Sequence, residues 1–171
     1  RFSKVHKCDM ALAGAVNTVI NVEDIFVVCR ANMLSPDCKC FTFDEKANGY
    51  VKCEAVGALL LKKTSKLNNS DKEYAKILGC AIKSDGKSSL LTAPNGKSQE
   101  LTVKSALDDA RMICEKIDFI ECHGSGTPLG DPIEIDALLN VFHFSKVIKI
   151  FCGIDFCSIY TFKFRFSKVH K

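Results

Sequence analysis

The sequence lacks any apolar run long enough to cross a membrane, which takes roughly 18 consecutive apolar residues. The longest candidate, residues 147–164, is interrupted by Lys149, Gly153, Asp155 and Lys163. The N-terminal residues, R-F-S-K-V-H-K, contain no apolar core of the kind that a secretory signal needs. We therefore expect no membrane partner and a cytoplasmic location.

The sequence also has few clusters of charged residues of the same sign. The formal net charge is +4, and lysine and arginine are scattered along the chain except for one basic stretch at the C-terminus. Nucleic-acid binding therefore has little support.

The ten cysteines do not form a pattern of metal ligands. Cys38 and Cys40 are close, but C-x-C is not a standard zinc spacing, and the next thiol, Cys53, has no histidine near it. Several cysteines lie in apolar runs, where a free thiol behaves as a small buried hydrophobe. A disulfide framework is not expected in a chain of this size without a secretory signal. We predict no metal site.

The composition is that of a globular protein. The 171 residues are 47% hydrophobic and 26% charged. This aliphatic content argues against disorder, and the length is sufficient for one domain with its own core.

One seven-residue unit occurs at both ends of the chain. Residues 1–7 and 165–171 both read R-F-S-K-V-H-K, and residues 143–149 are a near copy, H-F-S-K-V-I-K. A repeat this short and this widely spaced is not typical of a solenoid. We interpret residues 1–7 and 154–171 as atypical ends and exclude them from the fold prediction.

Segments typical of strands and of helices alternate between these ends. Strands are predicted at residues 10–16, 55–61, 74–82, 117–122 and 147–152, and helices at 22–32, 98–111 and 131–141. The first strand is expected to be buried and the second to be covered on both faces. The order predicts a layered α/β fold with helices packed on a mixed sheet.

Polar segments separate these elements. Residues 35–37, S-P-D, predict a turn, and residues 64–72 are the best internal boundary. Residues 84–97 form a long loop, and loops of this length in compact domains are usually functional.

The strongest signal for function is the segment E-C-H-G-S-G-T-P-L-G-D-P at residues 121–132, between a predicted strand and a predicted helix. Ligands bind at strand ends in α/β sheets, and glycines let the backbone approach a ligand. His123 can exchange a proton near neutral pH, and Ser125 and Thr127 offer hydroxyls. Two alternatives stay open. In the first, His123 is a structural residue that is hydrogen-bonded to the backbone. In the second, the loop binds phosphate, although its sequence lacks the lysine of a P-loop and the glycine spacing of a dinucleotide-binding loop.

Five ordered motifs resemble the ketosynthase (β-ketoacyl synthase) domains of type I polyketide synthases, in the thiolase-like superfamily. They are C-D-M-A-L-A-G-A-V-N at 8–17, M-L-S-P-D-C-K-C-F-T-F-D at 33–44, N-G-Y-V-K-C-E-A at 48–55, S-D-G-K-S-S-L-L-T-A-P-N-G at 84–96, and H-G-S-G-T at 123–127 followed by G-D-P-I-E. The resemblance runs from residue 8 to about residue 153 and implies a partial thiolase-like fold, with mixed sheets flanked by helices. It also implies that residues 8–72 end the N-terminal ketosynthase half and residues 73–153 begin the C-terminal half.

The resemblance implies a decarboxylative Claisen condensation that adds malonyl units to an acyl thioester. In that family a cysteine carries the acyl chain, and two histidines assist. His123 matches the first histidine, which donates an N–H to the thioester carbonyl as charge develops. Ser125 and Thr127 match hydroxyls that hold the phosphopantetheine arm of an acyl carrier protein. No cofactor is implied for the domain itself, and the implied partners are the carrier protein, neighbouring synthase domains and a second copy in a homodimer.

The sequence departs from the family pattern at the nucleophile and at the second histidine. The T-A-C-S-S motif of the nucleophile is absent, and Cys8 matches a later position. The K-x-N-x-G-H motif is absent after residue 153, and His143 and His170 lack its context. We therefore expect a partial sequence that is inactive and poorly soluble alone. The alternative is a non-catalytic ketosynthase-like module that binds carrier protein or a partner subunit.

Several family glycines are replaced in this chain, at Ala15, Cys53, Ala55 and Arg111. Each replacement is expected to cost about 1 kcal/mol if the site needs positive φ or close packing.

Overall fold

The computed structural model describes residues 8–86 and 93–142, and the backbone of residues 149–152. Its regular elements are four strands, three α-helices and two short 3₁₀ turns among these residues. The strands are β1 (Met10–Asn17), β2 (Ala55–Lys62), β3 (Phe119–Cys122) and β4 (Lys149–Cys152). The helices are α1 (Val22–Arg30), α2 (Gly96–Ala110) and α3 (Gly130–Phe142), and the 3₁₀ turns are Thr64–Lys66 and Cys114–Lys116.

The first sheet is an antiparallel pair of β1 and β2. Its register places Met10 opposite Lys62 and Asn17 opposite Ala55. Both strands were predicted, but their expected burial is wrong: Leu12 is 75% exposed and Leu60 is 66% exposed. The described residues pack no second layer on this hairpin, so the apolar side chains of both faces stay open to solvent.

Helix α1 follows the first strand. The Asn21 side chain caps it by accepting the Glu23 N–H at 3.0 Å, and two acidic residues occupy its first turn, where the helix dipole favours them. Asn32, with φ of 52°, lies just beyond its end. The predicted helix at 22–32 is confirmed, with its C-terminus two residues earlier.

The well-packed core lies in the C-terminal half of the described chain. Strands β3 and β4 are parallel, and α2 and α3 contribute to a cluster of buried apolar side chains. The cluster comprises Val103, Leu107, Ile117, Ile120, Cys122, Leu138, Val141 and Phe142. The apolar residues that predicted α2 and β3 in the sequence, such as Val103, Leu107 and Ile120, are members of this cluster. The strands and helices predicted in this half are confirmed, except at residues 74–82.

Residues 74–82 were predicted as a strand, and the structure assigns them no strand. They lie against α2 instead. A Cβ placed on Gly79 would lie 2.4 Å from the Ala110 nitrogen, and the Cys80 N–H donates to the Asp109 carboxylate at 3.1 Å. A strand is defined by its ladder to a neighbouring strand. None of the described strands pairs with residues 74–82, so the predicted strand is not formed.

Helix α2 has a capped start. The Asn95 side chain accepts the Ser98 N–H at 3.2 Å, and Asn95 also binds Asp85 through its N–H and its amide group. Lys97 and Lys104 both donate to the Glu100 carboxylate, at 2.9 and 2.6 Å. The hydrogen bond from Lys104, and then that from Lys97, lowers the pKa of Glu100.

The four replaced glycines differ in their backbone conformation. Arg111 has a φ of 54° and ends α2 in the left-handed region, whereas Ala15, Cys53 and Ala55 do not have positive φ. The expected conformational cost therefore applies to Arg111 alone of these four.

Replacing Arg111 by glycine in the intact protein should raise the free energy of unfolding by about 1 kcal/mol, because glycine occupies the left-handed C-cap without strain. Denaturant titration measures the change. Asn32→Gly is the matched control, because asparagine already tolerates positive φ, so its gain should be smaller. Equal gains for the two variants would show that helix-end strain at Arg111 is not the cause.

The described residues contain neither a membrane-spanning helix nor a cluster of metal-ligating side chains. None of the helices found there combines the length and apolarity that a membrane span requires. Within the same residues no group of three or more His, Cys, Asp or Glu side chains is placed to hold a metal ion.

Candidate active site

The candidate site is the loop of residues 123–129, termed the histidine loop, which connects β3 to α3. Cys122, the last residue of β3, is buried, and His123 is exposed. The alternation of side chains along a strand explains this difference. His123 therefore lies on the surface of the described chain rather than in its packed interior, and Cys122 does not share its face.

A buried carboxylate holds the backbone beneath His123. Both oxygens of Glu134, in the first turns of α3, accept hydrogen bonds: Oε1 from the His123 N–H at 2.7 Å and Oε2 from the Gly124 N–H at 2.9 Å. Glu134 is 4% exposed. Two charge-assisted bonds to adjacent amides fix the direction in which the loop leaves the strand.

A second buried carboxylate, Asp131, connects distant parts of the chain. Its Oδ1 accepts the Gly126 N–H at 3.1 Å and lies 3.5 Å from the Ser125 hydroxyl. Its Oδ2 accepts the Phe43 N–H at 2.8 Å, across 88 residues of sequence. Asp131 therefore ties the histidine loop to the segment around Phe43.

The Ser125 and Thr127 hydroxyls are partly used within the loop. Their oxygens are 3.0 Å apart, and Thr127 Oγ1 accepts the Gly130 N–H at 3.1 Å. Each hydroxyl has one proton, and either atom can be the donor between them. If Ser125 donates to Thr127, the Thr127 proton is available to an incoming acceptor. The pair can therefore offer one hydroxyl proton to an acceptor outside the loop.

Residues 40–49, termed the clasp, cover the histidine loop. The Thr42 hydroxyl donates to the Gly124 carbonyl at 2.6 Å, and the Gly49 N–H donates to the Gly126 carbonyl at 2.9 Å. Gly126 has a φ of 70°, and a Cβ there would lie 3.0 Å from the Phe41 nitrogen. Glycine at 126 is therefore needed both for its conformation and for close contact with the clasp.

The structure brings the three predicted site residues together on one loop. His143 and His170, which the sequence reading had set aside, lie outside the described residues. The sequence reading missed the acceptor roles of Asp131 and Glu134 and the clasp. The available signal was the position of both carboxylates in the first turns of a predicted helix, which the helix dipole alone would also explain.

Comparison with known proteins identifies the family of the chain. The family model described as beta-ketoacyl synthase, N-terminal domain, matches residues 4–67, and the model of the C-terminal domain matches residues 74–161. The chain belongs to the β-ketoacyl synthase family. This is a family of acyltransferases, and the resemblance found from the sequence motifs is confirmed.

Curated relatives of this β-ketoacyl synthase chain are polyketide synthases. It is 42% identical over 147 residues to the polyketide synthase PksL of Bacillus subtilis (strain 168), covering 85% of the chain and 3% of the relative. It is 40% identical over 136 residues to a highly reducing polyketide synthase of Pyrenophora dematioidea, covering 79% of the chain and 5% of the relative.

Solved ketosynthases share the fold. The ketosynthase from module 6 of the bacillaene synthase of Bacillus subtilis 168 matches with a TM-score of 0.81 and 39% identity, covering 88% of this chain and 28% of its own. The oxazolomycin ketosynthase domain OzmH KS7 of Streptomyces albus JA3453 matches with a TM-score of 0.84 and 30% identity, covering 89% of this chain and 27% of its own. The predicted thiolase-like fold is confirmed, and the chain spans just over a quarter of each solved chain.

Proposed function

We propose that this chain is part of the ketosynthase domain of a type I polyketide or fatty-acid synthase that extends acyl chains. The reaction is a decarboxylative Claisen condensation: malonyl on a carrier protein loses carbon dioxide, and its carbanion attacks an acyl thioester on the enzyme. The observation that carries the proposal is the histidine loop. The exposed imidazole of His123 belongs to a loop whose backbone N–H groups are bound by the buried carboxylates of Glu134 and Asp131. The chain also matches both the N-terminal and the C-terminal domain models of the β-ketoacyl synthase family.

In this proposal His123 is the catalytic residue that donates an N–H to the thioester carbonyl of the malonyl unit as enolate charge develops. Such donors act best when their position is fixed before the reaction, because no reorganisation is then needed as charge appears. The two Glu134 bonds to the amides of His123 and Gly124 supply that fixed position.

The proposed substrate arm is the phosphopantetheine of an acyl carrier protein. Ser125 and Thr127 would hold it through their hydroxyls, and its positioning converts the encounter with the acyl-enzyme into a nearly unimolecular step. The carrier protein, the neighbouring synthase domains and a second copy of the domain are the proposed partners. A cytoplasmic location stays a prediction.

We further propose that residues 8–72 end the N-terminal half of the domain and residues 73–153 begin its C-terminal half. The clasp and the histidine loop then come from different halves, and Asp131 joins them. The nucleophilic cysteine and the second histidine are expected elsewhere in the intact domain. Catalysis therefore needs more than this chain.

The proposal is tested by comparing the intact domain with the isolated 171-residue chain. The intact domain should extend an acyl primer with radiolabelled malonyl-carrier protein, and the isolated chain should give no product, because it cannot form the acyl-enzyme. Extension by the isolated chain would contradict the expected inactivity. An intact domain that binds carrier protein but never condenses would favour the non-catalytic module instead.

The isolated chain is also expected to associate in solution. Large apolar side chains of the hairpin and α1 are exposed, among them Leu12, Val56 and Phe26 at 75, 81 and 62%. Exposed apolar patches of this kind promote association. Size-exclusion chromatography should show oligomers or aggregates, and a monomer that unfolds cooperatively would contradict the prediction.

A further inference from the structure

Phe43, in the clasp, is held in a backbone conformation that its side chain disfavours. Its φ is 56°, in the left-handed region that residues other than glycine seldom adopt and that bulky residues adopt only under constraint. Such strain persists where the surroundings determine the conformation, and it is concentrated at active sites and ligand contacts.

The histidine loop supplies that constraint. On one side of Phe43 the Thr42 hydroxyl is bound to the Gly124 carbonyl, and at Phe43 itself the N–H is bound to Asp131 Oδ2. The other oxygen of the same carboxylate holds the Gly126 N–H. Phe43 is also the third residue of a turn in which the Asp44 N–H donates to the Phe41 carbonyl at 3.3 Å, a position where positive φ is usual but glycine is preferred. The bonds to the histidine loop hold this turn, and with it Phe43, beside His123.

Core packing among the described residues does not explain why a phenylalanine occupies this position. The residue is 39% exposed and is not part of the buried apolar cluster of the described chain. Glycine would adopt the same conformation without strain. Among the other residues with positive φ, Asn32 and Arg111 follow or end helices, and Cys38 ends a turn in which its N–H donates to the Ser35 carbonyl at 3.3 Å.

We propose that Phe43 is a specificity-determining residue whose ring contacts the acyl chain of the thioester. The inference rests on the proposed condensation and goes beyond it by assigning the apolar part of the substrate. The polar groups of the loop, Ser125 and Thr127, suit the amides of the arm, whereas an aromatic face suits aliphatic carbon. The shared carboxylate of Asp131 fixes the backbone of Phe43 relative to the loop.

The test uses the intact domain and two simple primers, the acetyl and hexanoyl thioesters of N-acetylcysteamine, each extended with malonyl-carrier protein. Phe43→Ala should lower the ratio of kcat/KM for hexanoyl over acetyl by about 10-fold, because contacts with several methylene groups are lost. Phe43→Leu keeps an apolar contact and should stay within about 3-fold of the wild type.

Phe43→Gly separates strain from contact. It should show the same loss of hexanoyl preference as Phe43→Ala. Its thermal midpoint should be higher than that of Phe43→Ala, because glycine relieves the backbone strain. A ratio that is unchanged in both variants, with both primers slowed equally, would overturn the inference and leave only a structural role. If the wild-type domain extends neither primer, the proposed condensation itself fails, which is a distinct result.

Discussion

Replacing His123 by alanine in the intact domain is expected to slow malonyl-dependent chain extension by about 10²–10³-fold, the usual loss for one preorganised donor. The loss should fall mainly on kcat, because the donor interacts most strongly with charge that exists only in the transition state. Single-turnover extension of a preloaded acyl-enzyme with malonyl-carrier protein measures it directly. Loading of the primer onto the enzyme should be affected less, since that step needs no enolate.

The structure lets this experiment separate chemistry from folding. The side chain of His123 is exposed, and its backbone N–H donates to Glu134 whichever side chain is present. The thermal midpoint should therefore stay close to that of the wild type. Leu129→Ala, an exposed residue of the same loop, is the matched control and should retain its rate within about 2-fold. Extension by the His123 variant at the control rate would rule out the assigned role.

Local sequence pattern was sufficient where one chain segment determines its own structure. Helix α2 was predictable because an apolar stripe buries Val103 and Leu107, although its start at Gly96 and its cap at Asn95 were assigned to the preceding loop. The strand β3 was predictable because a short apolar run ends at a glycine-rich loop. The motifs went further than periodicity, since they identified the family and hence the thiolase-like fold that no single element shows.

Contacts between distant segments were not predictable from the same patterns. Burial of the hairpin was expected from apolar composition, yet burial depends on a second layer, which the described residues do not place over β1 and β2. The strand expected at residues 74–82 failed for a related reason, since none of the described strands pairs with it. The bond from Phe43 to Asp131 joins residues 88 positions apart, and nothing local to either residue indicates it.

The two carboxylates of α3 show how a correct local explanation can hide a second role. Acidic residues at a helix start are stabilised by the helix dipole, so Asp131 and Glu134 needed no further explanation in the sequence. The structure shows that their oxygens also accept hydrogen bonds from backbone N–H groups of the histidine loop and the clasp. Their burial, which sequence alone does not give, distinguishes the two roles.

Glu134→Gln should therefore have a large effect on the site even though it leaves His123 in place. Glutamine offers one oxygen where glutamate offers two, so either the His123 N–H or the Gly124 N–H would face an NH₂ group in a buried position. An unsatisfied buried donor costs about 1–3 kcal/mol, which denaturant unfolding of the intact domain should detect. Extension should also slow, by up to about 100-fold, because a displacement near 1 Å of a catalytic group is sufficient for such a loss.

Asp136→Asn makes the same chemical change on the exposed side of the same helix and provides the comparison. It should leave unfolding within about 0.5 kcal/mol of the wild type, as is usual for surface substitutions. If the two variants unfold and react alike, the paired acceptors of Glu134 do not hold the loop. If Glu134→Gln alone loses both stability and rate, the imidazole depends for its position on a carboxylate that never touches the substrate.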